Sequence, residues 1–501
     1  MSNTADQLDT LKNRLHLVSD LSAAAALLEW DQETYMPPGA AEARAQQLAT
    51  LKTLAHEHFT DATVGSLLDA LDGAVEDDTD RALVRVTSRD YERATKLPAD
   101  FVARFTRAKA RAMEAWKRAR HADDYARFAP HLQEIVDLSI EQAETIGYDE
   151  HRYDALLDEY EPGMTWKEID RVFRDLRAEL VPIAEALADA DPPDDTFLHR
   201  PYDGDRQWTF GLDVIRTFGY DFERGRQDRS AHPFSTSFST SDCRITTRIA
   251  PEFFPTGFFG TLHECGHALY EQGVDPALDR TPLASGTSLG MHESQSRLWE
   301  NLVGRSRAFW RWAYPDLQST FPDALDGVSE GDFYRAVNRV RPSRIRVEAD
   351  EVTYNLHVML RFELETKLID GSLSVADVPD AWNATMEEML ALTPGSDADG
   401  CLQDIHWSLG ALGYFPTYTL GNLMSVQLFE AAADDLGDLG SQFEQGEFEP
   451  LLGWLREHVH RHGRARSATR ILRDATGESL SAEPWLAYVR RKFGAVYGID
   501  L

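Results

Sequence analysis

The chain has 501 residues, 43% hydrophobic, 10% aromatic and 27% charged, and its 51 basic against 84 acidic side chains leave a net charge of −33. This is the composition of a globular protein; it excludes disorder and collagen, and its negative field sets nucleic acid and anionic membrane surfaces aside as partners. Only eight of the basic residues are lysine. A densely carboxylate, arginine-rich surface is what a salt-loving host selects, because about 1 M salt cuts the screening length to about 3 Å and relieves self-repulsion. Cys243, Cys265 and Cys401 form no C-x-x-C pair and read as reduced thiols. Met1 to Leu17 carries Asp6, Asp9, Lys12 and Arg14 instead of an apolar core, so it does not read as a secretory signal. The apolar run Ala23 to Leu28, closed by Glu29, falls far short of the roughly 20 residues a membrane span needs. A cytoplasmic location is the expectation.

Leu8, Leu11, Leu15, Val18 and Leu21 repeat at three and four residues and predict a first amphipathic helix. Breakers at Pro37-Pro38-Gly39, Pro162-Gly163, Pro192-Pro193 and Pro394-Gly395 separate further helical stretches, and none is long enough to be a flexible linker. Thr165 and Glu168 make a capping box that starts a helix running to about Ala188, with a kink expected at Pro182. One segment departs from the helical period. Cys243, Ile245, Thr247 and Ile249 alternate with polar neighbours, which is strand spacing, and the Ser and Thr-rich run Ser235 to Ser241 before them completes a small β-ribbon. The expectation is a mainly α protein, one continuous unit over residues 1–501.

The ribbon leads into Thr261-Leu262-His263-Glu264-Cys265-Gly266-His267-Ala268-Leu269-Tyr270, an H-E-x-x-H within a helix-compatible stretch. One helical turn separates His263 from His267, so both imidazoles can meet one Zn²⁺ at about 2.0–2.1 Å while Glu264 takes a proton from activated water. Two packed histidines in a buried helix are the bland alternative. The third ligand separates the classes. Metzincins need Gly then His where this chain has Tyr270 and Gly273, and Glu271 lies about 12 Å of helical rise beyond His263. Glu293 is the better candidate: it opens another helical stripe after a Gly, Pro and Ser-rich connection that can turn the chain back across the first helix. Two histidines and a glutamate with an open fourth position make a hydrolytic site rather than a structural one.

Further motifs accompany these residues: Trp30-Asp31-Gln32 with Met36-Pro37, His232-Pro233-Phe234, Asp242-x-Arg244-x-Thr246, His292-Glu293-Ser294-Gln295, Ile345-Arg346 with Ala349-Asp350, and Gly400 with Gln403-Asp404 and His406-Trp407. In this order, over nearly the whole chain, they resemble the thermostable carboxypeptidase (carboxypeptidase Taq) family of metallocarboxypeptidases. The resemblance implies His263, His267 and Glu293 as ligands of one divalent ion per chain, zinc with cobalt as the alternative, and Glu264 as catalytic base. It implies a large helical fold with a deep groove, a homodimer, and release of single C-terminal residues from peptides with broad preference. An endo-acting or dipeptide-releasing helical zinc peptidase would share every ligand.

Peptide hydrolysis also needs donors for the tetrahedral oxyanion, and an exopeptidase must bind a free carboxylate. Similar donors in related helical zinc peptidases point to Tyr418 and His406, with Tyr414 next; packed aromatic rings are the alternative for both tyrosines. Arg346 is the first choice for the carboxylate and Arg244 the second, with His232 as a further substrate-binding candidate and Asp350 or Asp404 as supports. His458, His460 and His462 are read as a solvated helix end, and the acidic run Ala431 to Asp438 as exposed surface lacking the spacing of a calcium loop.

Overall fold

The computed structural model describes residues 4–501, which fold as helices with one small sheet. Their packing divides into two compact units: Met1–Thr95, Asp194–Val337 and Gln427–Ser479 (described from Thr4) make the first; Lys96–Pro193, Asn338–Val426 and Leu480–Leu501 make the second. Each unit is assembled from three separated stretches, and for that reason no linker in the sequence marks the division. No helix among the described residues is long and apolar enough to cross a membrane.

In the first unit the leucine stripe forms helix α1 (Thr4–Thr34), burying Leu11 and Leu15, and the Pro-Pro-Gly break turns the chain into α2 (Ala41–Phe59). Leu11 and Leu15 pack with Val64, Leu67, Leu68, Leu83 and Val274. The sheet has three strands, β1 (Gln227–Arg229), β2 (Ser235–Ser239) and β3 (Asp242–Thr247), in the order β1-β3-β2, with β3 parallel to β1 and antiparallel to β2. β2 and β3 are the expected ribbon. β1 escapes a reading by pattern, since Gln-Asp-Arg has no apolar alternation. Thr247 Oγ1 donates to Gly257 O at 3.1 Å and fastens the sheet to α3 (Phe254–Gly273), the H-E-x-x-H helix. At the start of α3, Phe254 stacks on Phe258, Phe258 meets Trp310, and Trp310 meets Phe333, with centroids 4.6 to 5.5 Å apart. Each such ring removed from water contributes about 1.5–3 kcal/mol, so this aromatic cluster anchors the first turns of α3, ahead of the histidines. α4 (Leu289–Arg297) follows the Gly, Pro and Ser-rich connection and continues into a π turn at Leu298–Val303.

In the second unit the Thr165 box is present, with Glu168 N donating to Thr165 Oγ1 at 3.3 Å and Thr165 N to Glu168 Oε2 at 3.1 Å. The helix Trp166–Asp189 runs through Pro182 as one element. Helix α5 (Tyr354–Asp370) buries 14 of its 17 residues. Phe362 holds it against Tyr153 and Phe173, while His357, Arg361 and Glu365 recur every four residues as a buried polar row. α6 (Pro416–Leu436) starts in this unit.

The histidine-rich segment differs from its reading. The helix ends at His458, where a short 3-10 stretch (His460–Ala465) containing Gly463 at φ 45° turns the chain. Side chains two apart do not scatter around an axis there. His460 is fully buried, its Nε2 2.9 Å from Gln295 Oε1, so the expected solvated end is wrong for it. His458 stacks on Trp454.

Candidate metal centre and active site

α3 is buried on most sides, with 14 of its 20 residues covered, including Glu264. Gly266, the fourth residue of the motif His263-Glu264-Cys265-Gly266-His267, has a local reason to lack a side chain. A Cβ there would lie 2.6 Å from Gln295 O and from Ser296 Cα, backbone atoms of α4. The two helices therefore touch backbone to backbone, and Glu293 is carried up to the histidines.

One donor atom each of His263, His267 and Glu293 lies within 4.8 Å of the others, a group that could hold a metal ion. Glu293 Oε2 is 3.7 Å from His263 Nε2 and 3.5 Å from His267 Nε2. Ligands placed tetrahedrally at about 2.0–2.1 Å from one Zn²⁺ stand about 3.3 Å apart, so the donor set fits a divalent ion. The other ring nitrogens are committed elsewhere. His263 Nδ1 is 3.0 Å from Glu300 Oε2, and His267 Nδ1 is 3.1 Å from the His292 carbonyl. Both Nε2 atoms are thereby left for the centre.

The electrostatics divide the residues by role. Burial disfavours charge on Glu293, but Arg297, whose Nε donates to Oε1 at 2.7 Å, and the histidines outweigh it and hold the carboxyl well below its ordinary range. Burial lowers His267 to about 3, so it is a neutral ring ready to ligate. For His263, burial is opposed by Glu293 and Glu300, which leave it above its usual value. Glu300 itself falls to about 2: burial pushes upward, and Arg297, His263 and Arg305 prevail. Glu264 goes the other way. Burial raises it to about 7, a proton affinity matched to base work near neutrality.

Glu300 is a member of this centre that the sequence reading missed. It lies seven residues after Glu293, inside the π turn, where the 3.6-residue period no longer tells which side chains share a face.

In the second unit, Arg346, Asp404, His406, Tyr414 and Tyr418 come together. Arg346 is 95% buried. Its Nε and Nη2 donate to Asp404 Oδ1 at 3.1 and 2.8 Å and its Nη1 to the Tyr354 hydroxyl at 2.8 Å, which leaves two of a guanidinium's five N–H bonds over. Asp404 Oδ2 is shared with Arg361, at 2.7 Å from Nε and 2.6 Å from Nη2. Arg361 is fully buried and was not read from the sequence; its signal was a charged residue in the buried row of α5. Burial works against the charge of Asp404, yet Arg361 and Arg346 hold its carboxyl far below the usual range. Two guanidiniums around one carboxylate leave positive charge over. Glu365, one turn beyond Arg361, adds only part of a negative charge near neutrality, because burial raises it to about 7.

His406 Nε2 lies 3.4 Å from the Tyr418 hydroxyl, and its ring packs on Phe415 at 4.4 Å and Tyr414 at 5.3 Å. Burial lowers His406 to about 4, so it is neutral near pH 7 and can donate one N–H. Asp350 accepts from Arg341 N, Val352 N and Thr353 and organises the turn after Arg346.

The remaining candidates belong to the first unit. Arg244 forms a one-to-one bidentate pair with Asp242 at 2.8 Å and stacks between Trp30 (4.4 Å) and Phe238 (5.0 Å). Its charge is matched one to one by Asp242, whereas Arg346 shares its carboxylate, Asp404, with Arg361. His232 is exposed on the turn between β1 and β2, where its carbonyl accepts from Ser230 Oγ at 2.6 Å.

Residues 10–493 match the family model described as carboxypeptidase Taq (M32) metallopeptidase. The chain belongs to that family. It is 44% identical over 494 residues to a thermostable carboxypeptidase 1 of Thermus thermophilus, covering 95% of this chain and 96% of that one. It is 38% identical to carboxypeptidase 1 of Bacillus subtilis, with 96% and 97% covered. An M32 carboxypeptidase crystal structure from Deinococcus radiodurans superposes with a TM-score of 0.97 at 46% identity over 99% of this chain and 100% of that one. A Pyrococcus furiosus carboxypeptidase structure gives 0.95 at 36% identity, over 98% and 99%. The chain is accordingly a metallocarboxypeptidase, a peptide hydrolase dependent on a divalent metal, and the helical fold with its small sheet is that of its relatives.

Proposed function

We propose that His263, His267 and Glu293 hold one catalytic Zn²⁺ per chain, with Co²⁺ able to substitute, and that Glu264 is the general base removing single C-terminal residues from peptides with broad preference. The observation that carries this is the placement of one ionised carboxylate oxygen, Glu293 Oε2, 3.7 Å from His263 Nε2 and 3.5 Å from His267 Nε2, with the Glu264 carboxyl raised to about 7 on the helix of both histidines. When bound, the ion supplies Lewis acidity and a water of lowered pKa. Glu264 accepts the water's proton and delivers it to the leaving amine. The Tyr418 hydroxyl and the neutral His406 are the donors proposed for the oxyanion, with Tyr414, packed against both rings, proposed as a substrate contact. Arg346 is proposed for the substrate carboxylate, because its cluster, two guanidiniums around one carboxylate, keeps surplus positive charge. Arg244, matched to Asp242, and the exposed His232 are left with minor contacts at most.

A homodimer is proposed on the family resemblance. A reducing, cytoplasmic setting agrees with three free, buried cysteines, and adaptation to high salt with the net charge of −33. The mechanistic core is tested by Glu264→Gln, which should bind Zn²⁺ and melt like the wild type yet lose turnover. Activity retained in that variant would remove Glu264 from the mechanism.

A further inference from the structure

Behind His267 lies a hydrogen-bonded row that the reaction as proposed does not use. His292 Nδ1 is 2.6 Å from His267 Nδ1, and His292 Nε2 is 2.8 Å from Glu271 Oε1. The same Glu271 oxygen accepts from Gly286 N at 3.1 Å. The His292 ring is clamped. Tyr270 packs on it with centroids 5.3 Å apart, and a Cβ on Gly286 would come within 2.5 Å of its Cδ2.

The protons in this row have one consistent arrangement. A His267 that ligates through Nε2 carries its proton on Nδ1 and must donate it. The acceptors present are His292 O at 3.1 Å and His292 Nδ1 at 2.6 Å. For His292 Nδ1 to accept, its own proton must sit on Nε2, where the Glu271 carboxylate receives it. The reverse tautomer would set two N–H groups against each other. We propose that Glu271 and His292 are positioning residues, which fix the tautomer and ring orientation of His267 through this row and so raise the metal affinity of the centre. Glu271 sits on the same helix face as both histidines, too far along to ligate, and reaches the ion only through another side chain. The inference rests on the ligand assignment proposed above.

The test is the Zn²⁺ dissociation constant of metal-stripped full-length protein, read by competition with a chromophoric chelator, with the unfolding of the stripped protein followed in parallel. His292→Leu and Glu271→Leu should each weaken Zn²⁺ binding about 10- to 100-fold, the usual effect of removing a ligand's support. His292→Asn keeps an oxygen acceptor where Nδ1 was and should restore most of the affinity; a purely packing role predicts no such rescue. The control His267→Ala should abolish tight binding. Wild-type affinity in His292→Leu beside a loss in His267→Ala would overturn this inference alone, whereas tight binding retained in His267→Ala would overturn the ligand assignment and this inference together. Should His292→Leu fail to fold, Glu271→Leu set against His292→Asn carries the same decision.

Discussion

The substitution Gly266→Ala probes the contact on which the centre depends. It adds one methyl group facing Gln295 O and Ser296 Cα at 2.6 Å, with Gln295 C at 2.9 Å. These are backbone atoms and cannot rotate away, so restoring a contact of 3.4 Å requires α3 and α4 to part by about 0.8 Å. Glu293 precedes Gln295 by two residues and travels with α4. A metal site tolerates only about 0.2 Å of error in ligand distance, so Zn²⁺ affinity should fall by more than about tenfold. Overpacking of this kind costs about 1–3 kcal/mol of stability, and the metal-free protein should lose that much as well. Chelator competition and urea unfolding measure the two effects. Gly453→Ala is the matched control: it is also helical, nothing lies within 4 Å of its added methyl, and it should be neutral or stabilise by up to about 1 kcal/mol. If Gly266→Ala bound Zn²⁺ as tightly as wild type and unfolded with it, the backbone contact would not be what brings Glu293 into place.

Other consequences concern the second unit and the surface charge. Arg346→Met should raise KM for peptides with a free C-terminus by about 10- to 100-fold, the worth of charge-assisted hydrogen bonds, and should erase the difference between free and amidated peptides; an unchanged preference would exclude Arg346 from carboxylate recognition. Asp404→Asn strands two buried guanidiniums and should cost about 3–5 kcal/mol at pH 7. Because the folded pKa of Asp404 is depressed, its contribution is complete above the ordinary carboxylate value near 4 and is lost as pH falls through the lower folded value. The gap between Asp404→Asn and wild type, measured by urea unfolding, should therefore close in acid, and a gap that persists or widens there would contradict the assignment. Raising KCl from about 0.1 to 2 M shortens the screening length from about 10 Å to under 3 Å and should raise the melting temperature of a chain of charge −33; a flat or falling profile would count against salt adaptation.

How much of this was legible in the sequence depends on how far each signal reaches. The H-E-x-x-H helix, the Thr165 box and the β2-β3 ribbon are local, and their spacing alone reveals them. Glu293 could be chosen because a turn-rich connection precedes its helix and the competing Glu271 is excluded by helical rise. Glu300 was hidden by the π turn, and Arg361 by lying in a helix buried nearly all round, where periodicity distinguishes no face. His460 was misjudged because a helical axis was assumed where Gly463 bends the chain. The matching of Arg244 by Asp242, and the sharing of Asp404 by Arg346 and Arg361, are long-range charge balances that no residue spacing records.

The grip of three side chains from α3 and α4 on one ion, as proposed, can be seen directly. Anomalous diffraction at the zinc edge, from crystals of the Zn²⁺-loaded protein, tests it most directly. One peak per chain is expected, bounded by Nε2 of His263, Nε2 of His267 and Oε2 of Glu293. A peak held by other residues, or one at the histidines with Glu293 turned away, would contradict it.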